Sequence, residues 1–250
     1  MPEQIISWSY SKLQDFERCK LATKLKHIDR VPEPERPLPP GKTEHANDRG
    51  TRIHTSCEEY INGTTQVLDP DADKHFGPQI DLLRTLYADG LVSLEGEWGM
   101  NRDWEVTEWK SAWLRLKLDA IVFHSDTEAT VIDFKTGRKF GNEIKHGEQL
   151  ALYQLVAFLR YPKLERVTAE LWYLDQKNEE NLTSVTYTRE KGLKYRSNFD
   201  RRGHKLTTCT AWEPNPNIHS CKYCMYGPWG SGNCAVGVKA SSAQSKAKRV

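Results

Sequence analysis

Three polar residues near the middle of the chain carry the first chemical signal. Asp133-Phe134-Lys135 sets an acid and a lysine two apart in a stretch that reads as a strand, so both project from one face. Asp119 stands late in the preceding strand-like stretch, and a hairpin through Ser125-Asp126 brings it next to Asp133. Two carboxylates at that separation repel each other unless a divalent cation sits between them. Oxygen donors of this kind suit Mg2+ or Mn2+. Lys135 then neutralises a phosphate or orients an attacking water. The same residues also fit a plainer role, an edge salt bridge between Asp133 and Lys135.

The elements that must position these residues are legible in outline. Leu114, Leu116, Leu118, Ala120 and Val122 alternate with other residues at a period of two, the pattern of a half-buried strand carrying Asp119. Residues 130–135 form a second short strand, closed by Thr136-Gly137. Helices are expected over residues 9–28, with Ser9 as N-cap, and over 49–61, 79–87, 147–160 and 191–205. Further strands are expected over 167–174 and 182–188. Five prolines between Val31 and Pro40 make an extended connector. From Cys209 onward Pro, Gly, Asn and Cys dominate, and little regular structure is expected.

Other residues gain meaning from these placements. His54 falls on the helix over 49–61, with Glu58 one turn further on. Gln149 and Tyr153 share one face of the helix over 147–160. Each also has a plain reading, as a packed or solvated residue. Trp98, Trp104, Trp109 and Trp113 crowd together with Arg102, Lys110 and Arg115, which suits either a core or stacking on unpaired bases. Gly41-Lys42-Thr43 imitates the end of a phosphate-binding loop but lacks the first glycine and a preceding strand.

The order "RGTRIH", "LKLDAI", "DFKTG", "QLALY" resembles the RecB-type branch of the PD-(D/E)XK nucleases, which includes phage exonucleases and CRISPR-adaptation nucleases with cysteine clusters. The resemblance implies that His54, Asp119, Asp133 and the backbone carbonyl of Phe134 hold a catalytic Mg2+ or Mn2+. It makes Lys135 the catalytic lysine, with Gln149 and Tyr153 supporting the site or touching the scissile strand. Glu95 and Glu97 lie where the family often has an acid, and they fit solvated strand-end acids equally.

Six cysteines, with no signal-peptide pattern at the N-terminus, point to metal ligation before disulfides. Cys221 and Cys224 form a C-x2-C pair, with Cys234 ten residues on. In the resembled family one N-terminal cysteine joins three C-terminal ones around a [4Fe–4S] cluster, which assigns Cys19, Cys221, Cys224 and Cys234 here. Lys20 replaces the family's proline, and the last spacing is long. A zinc site on Cys209, Cys221, Cys224 and Cys234 remains the alternative.

Composition sets the outer limits. The chain has 250 residues, 38% hydrophobic and 28% charged, which supports a globular core. Its longest apolar run, residues 150–159, is too short for a bilayer. Net charge is +2, but residues 239–250 hold four basic residues and no acid, so the remaining body is slightly acidic. That tail reads as a disordered end with non-specific attraction to phosphate.

The expected fold is α/β, a restriction-endonuclease-like core with a central mixed sheet flanked by helices. Residues 1–238 are expected to form one nuclease domain. Its core spans about 49–190, and the cysteine segment 209–234 packs on the helix over 9–28. The expected function is a metal-dependent DNA exonuclease in phage or recombination-type processing, cytoplasmic in a bacterium or phage-infected host and without a membrane partner. DNA with free ends or single-stranded character is the expected substrate. A helicase, recombinase or integrase partner and a homo-oligomer are compatible with this reading. The alternative is a non-catalytic or partner-dependent DNA-binding subunit.

Overall fold

The computed structural model describes residues 4–35, 37–137, 139, 141–176, 181–222 and 224–238. Helices and strands follow in the order α1 (Tyr10–Arg18), α2 (Lys20–His27), α3 (Ala46–Ile61), α4 (Pro70–Ala88), β1 (Val92–Met100), β2 (Val106–Thr107), β3 (Leu114–Phe123), β4 (Glu128–Lys135), α5 (Glu143–Arg160), β5 (Arg166–Tyr173), β6 (Leu182–Thr188), α6 (Arg189–Leu193), α7 (Arg196–Thr207) and α8 (Ile218–Cys221). A short 3-10 turn, Trp109–Ser111, precedes β3. The chain divides into two compact units, Leu38–Phe199 and a second made of Met1–Pro37 with Asp200–Val250. The basic tail, 239–250, lies outside the described residues.

The larger unit is mixed α/β. Its sheet has the order β2-β1-β3-β4-β5-β6, and β4 with β5 is the parallel pair among antiparallel neighbours. A parallel pair needs a crossover, and α5 supplies it. Ile53, Cys57 and Ile61 of α3 and Phe76 and Ile80 of α4 pack with Ala120, Val122, Ile132 and Phe134 in one core. Leu150 of α5 packs with Ala169, Leu171 and Tyr173 in another. β4 is buried along most of its length, and Asp133 sits in its buried stretch between Ile132 and Phe134. Gln154 of α5 is fully buried, and its side-chain amide donates to the carbonyls of Val167 and Val185, tying the helix to β5 and β6.

Several elements differ from expectation for identifiable reasons. The helix over 9–28 is two helices, because Cys19 is extended (φ −163°, ψ 112°), closing α1 and opening α2. The break lets Leu21 N–H reach the Glu213 carbonyl and Asn215 N–H reach Cys19 Sγ. α4 begins at Pro70 rather than near residue 79, since Asp69 caps it and Pro70 occupies its first turn. The helix over 191–205 is divided into α6 and α7. Beyond the strand-end reading of Glu95 and Glu97, the sequence marks no strand over β1 or β2. Among the described residues no helix is long and apolar enough to cross a membrane.

Candidate active site

The site lies where β3 and β4 part. The two strands pair from Phe123 opposite Ala129 to Ala120 opposite Ile132. Asp119 and Asp133 are the next residues outward. Phe134 N–H donates to Asp119 Oδ2 at 2.6 Å, so a carboxylate takes the place of a backbone acceptor at the open end. His54, on α3, lies with Nδ1 2.7 Å from Asp119 Oδ1. Beside an ionised carboxylate that nitrogen donates, which leaves the Nε2 lone pair for another partner. The Phe134 ring meets the His54 ring edge-on, with centroids 5.9 Å apart.

Asp133 is held from α5. The Tyr153 hydroxyl is 2.6 Å from Asp133 Oδ1 and 3.1 Å from the Lys117 carbonyl. A phenol has one proton to give, and the shorter contact to the carboxylate takes it. Gln149 Nε2 donates to the same hydroxyl at 2.7 Å, while Gln149 Oε1 accepts from Lys135 Nζ at 3.0 Å. Lys135 Nζ closes the ring, 2.5 Å from Asp133 Oδ2. That approach is outside hydrogen-bond direction, and Asp133 Oδ2 is buried without accepting a hydrogen bond. The contact is therefore an ion pair that leaves the oxygen's directed acceptor capacity unused.

Charge at the site is strained upward. Burial raises the Asp119 pKa, the His54 hydrogen bond opposes that, and the nearby Asp133 charge raises it again, for a net rise. Burial alone would lower His54, but its bond to Asp119 and the charges of Asp119 and Asp133 outweigh this, and its pKa is raised. Tyr153 is pushed well above the usual phenol value by burial and by Asp133, so it remains a protonated donor.

The donor set is two hard carboxylates and one borderline imidazole, so oxygen dominates it. That chemistry fits Mg2+ or Mn2+. Among the described residues no three His, Cys, Asp or Glu side chains stand ready-made as a metal cage. His54 and Asp119 are bonded to each other instead, so joint ligation requires their side chains to turn. Phe134 presents its amide to Asp119.

Residues given no catalytic role by the sequence complete the frame. Arg49 makes a two-pronged pair with Asp175, just beyond β5, at 2.9 and 2.6 Å, and also reaches Asp71. A Cβ on Gly50 would lie 3.1 Å from Thr136 Oγ1, so glycine lets α3 run close to the turn after Lys135. Arg52 pairs with Glu44, Asp69 and Asp71. Gly41, Lys42 and Thr43 line a groove of about 800 Å³ with Arg49, Thr136, Gly137 and Asp175.

Residues 7–229 match the PD-(D/E)XK nuclease superfamily. The chain belongs to that superfamily. Two solved structures show a distant similarity to this nuclease. One, SSO0001, is 16% identical with a TM-score of 0.34, covering 92% of this chain and 96% of its own. The other, described as a candidate exonuclease from Eubacterium rectale, is 13% identical with a TM-score of 0.46, covering 98% and 94%. A search of curated proteins finds no match.

The smaller unit of the nuclease holds five of its six cysteines, and four of them come together. Cys19, Cys221, Cys224 and Cys234 line one pocket with Pro214, Asn215 and Trp229. Burial raises the Cys234 thiol, and Cys19, Cys224 and Cys221 add to the rise through charge. Cys209 does not line this pocket and turns its sulfur to the Ala211 carbonyl. Cys57 is buried on α3, where burial pushes its pKa up to about 12.

Proposed function

We propose that this nuclease is a metal-dependent DNA exonuclease of the RecB-type branch, acting from DNA ends in phage or recombination-type processing. The observation that carries the reading is the buried Asp133 carboxylate, ion-paired to Lys135 and set beside Asp119, with His54 bonded to Asp119, at the open end of the β3–β4 pair. His54 through Nε2, Asp119, Asp133 and the Phe134 carbonyl would hold Mg2+ or Mn2+. When bound, the cation polarises the scissile phosphate and lowers the pKa of a water ligand. Lys135, held by Gln149, points its ammonium at the same region, where it orients the attacking water or stabilises charge developing on the phosphate. Tyr153 and Gln149 are positioning residues, since they reach the reacting region through Asp133 and Lys135.

Cleavage from ends rests on the likeness to phage exonucleases. End-labelled linear and covalently closed circular DNA, single- and double-stranded, tested with Mg2+ or Mn2+, separates the modes. Loss of linear DNA alone supports an exonuclease. Cleavage of circles makes it an endonuclease. Binding without cleavage under every condition moves the weight to a partner-dependent subunit.

Two further expectations follow from the geometry. Tyr153→Phe removes the hydrogen bond to Asp133 while keeping the ring, and should lower activity by about 10- to 100-fold, read as a weaker apparent affinity for Mn2+. Activity should also fall as pH drops. His54 and Asp119 must both shed a proton to ligate a cation, and both have raised pKa values, so protons compete at higher pH than for ordinary groups. Raising the Mn2+ concentration should move the acidic limb of the pH–rate profile to lower pH.

We propose that Cys19, Cys221, Cys224 and Cys234 hold a [4Fe–4S] cluster, on the support of their shared pocket. Anaerobically purified protein should show broad visible absorption with matching iron and sulfide, both lost in Cys19→Ala. Zinc without iron, retained in Cys19→Ala and lost in Cys209→Ala, would favour the zinc arrangement instead.

A further inference from the structure

We propose that Lys117, Arg115 and Trp109 form a track that receives an unpaired DNA strand beside the catalytic carboxylates. The inference rests on the nuclease reading above and adds to it where the strand lies. Arg115, Lys117 and Asp119 are successive alternate residues of β3, less buried than Leu114, Leu116 and Leu118 between them. They project from one face, and a rise of about 3.4 Å per residue sets Lys117 about 7 Å and Arg115 about 14 Å along the strand from Asp119. The track joins the site through the Tyr153 hydroxyl, which contacts both the Lys117 carbonyl and Asp133.

The four crowded tryptophans divide into two kinds. Trp98, Trp104 and Trp113 are core residues, at 3%, 3% and 4% exposure. Trp109, on the 3-10 turn, is half-buried. The Arg115 guanidinium lies 5.4 Å and the Lys117 ammonium 6.0 Å from its ring centroid. Arg115 also donates to the Lys110 carbonyl at 3.0 Å. The indole and that carbonyl hold two long cations in place before any strand arrives, which reduces the ordering cost of binding. Glu97 pairs with Lys117 at 3.2 Å, but both are about half exposed, so the pair is screened by solvent and exchangeable for a phosphate.

Cations in a row beside an aromatic face match the backbone and bases of a single strand. Bases in a duplex are already stacked on one another and offer the indole no face, so an unpaired segment is the favoured occupant.

The test measures binding of fluorescent single-stranded and blunt duplex oligonucleotides by anisotropy, without divalent metal, across a salt series. It uses the full chain, Trp109→Ala, Trp109→Phe and Lys117→Ala. Trp109→Ala should weaken single-strand binding by about 5- to 100-fold, with Trp109→Phe recovering most of it. Lys117→Ala should reduce the slope of log affinity against log salt by about 0.7. With metal present, the effect should fall on KM more than on kcat. Single-strand affinity and salt slope equal to wild type in all three variants would overturn the track, and would leave the nuclease reading standing if Asp133→Ala still abolished cleavage. Equal weakening for duplex and single strand would overturn the unpaired occupant. A wild-type chain that neither binds nor cuts DNA would sink the nuclease reading, and the track with it.

Discussion

Asp119→Asn should make the metal-free protein more stable and yet destroy its nuclease activity. The asparagine keeps its oxygen for Phe134 N–H and turns its amide nitrogen to His54 Nδ1, which accepts in the other neutral tautomer, so both local contacts survive as hydrogen bonds. What disappears is a buried negative charge beside Asp133. The Asp119 pKa is raised in the fold, so the native state holds this proton more tightly than the unfolded chain does. Stability therefore falls as pH rises from the ordinary carboxylate range through the raised value, and the native protein is strained at neutral pH. His54 has the same sign. Its raised pKa gives stability that is full below the ordinary histidine value and lost as pH rises through the folded one. The variant removes the Asp119 share of that fall, so its metal-free melting temperature should exceed that of wild type near pH 8.

A divalent cation reverses the balance. Wild type should gain stability with Mn2+, by about 2.7 kcal/mol at a hundred times the dissociation constant, and the variant should gain almost none. Cleavage should drop by about 10³-fold or more, as expected when several kcal/mol of metal-derived transition-state stabilisation is lost. Melting in chelator and in Mn2+, with a cleavage assay, checks both halves. A variant less stable in chelator but still active would show that Asp119 is a structural acid.

How much of this was legible follows from the range over which each feature is determined. The shared face of Asp133 and Lys135 needs only the two-residue period of a strand, and the nearness of Asp119 needs only one hairpin; both are local. The i, i+4 face of Gln149 and Tyr153 is local as well. Which strand residues that face would meet is not, because it depends on how α5 lies on the sheet. The Arg49–Asp175 pair joins residues far apart in sequence and has no local mark beyond Arg49 standing in the same short motif as His54. β1 was hidden because Gly96, Gly99 and two glutamates break its alternation, and its burial comes from pairing with β3. The division of the tryptophans was invisible for the same reason: all four look alike until the fold decides which one keeps an open side. The break at Cys19 reflects contacts with residues 213–215, nearly two hundred positions away.

Lys135→Met is expected to slow cleavage by about 10²- to 10³-fold while tightening Mn2+ binding. The two effects have opposite signs because the ammonium serves the reaction and opposes the cation. Lys135 Nζ lies 2.5 Å from Asp133 Oδ2, so it competes for the oxygen a metal would use. Removing it frees that oxygen and deletes a neighbouring positive charge, and both changes favour the metal. The reacting phosphate and water lose a donor held in place by Gln149, and that loss appears in kcat. A purely structural lysine predicts the contrary pattern. Its loss would leave Asp133 buried without its ion-pair partner and lower stability, yet the cleavage rate per folded molecule would hold. Calorimetric Mn2+ binding, single-turnover cleavage and melting on the same variant separate the cases. An unchanged single-turnover rate with reduced stability would return Lys135 to the role of an edge salt bridge.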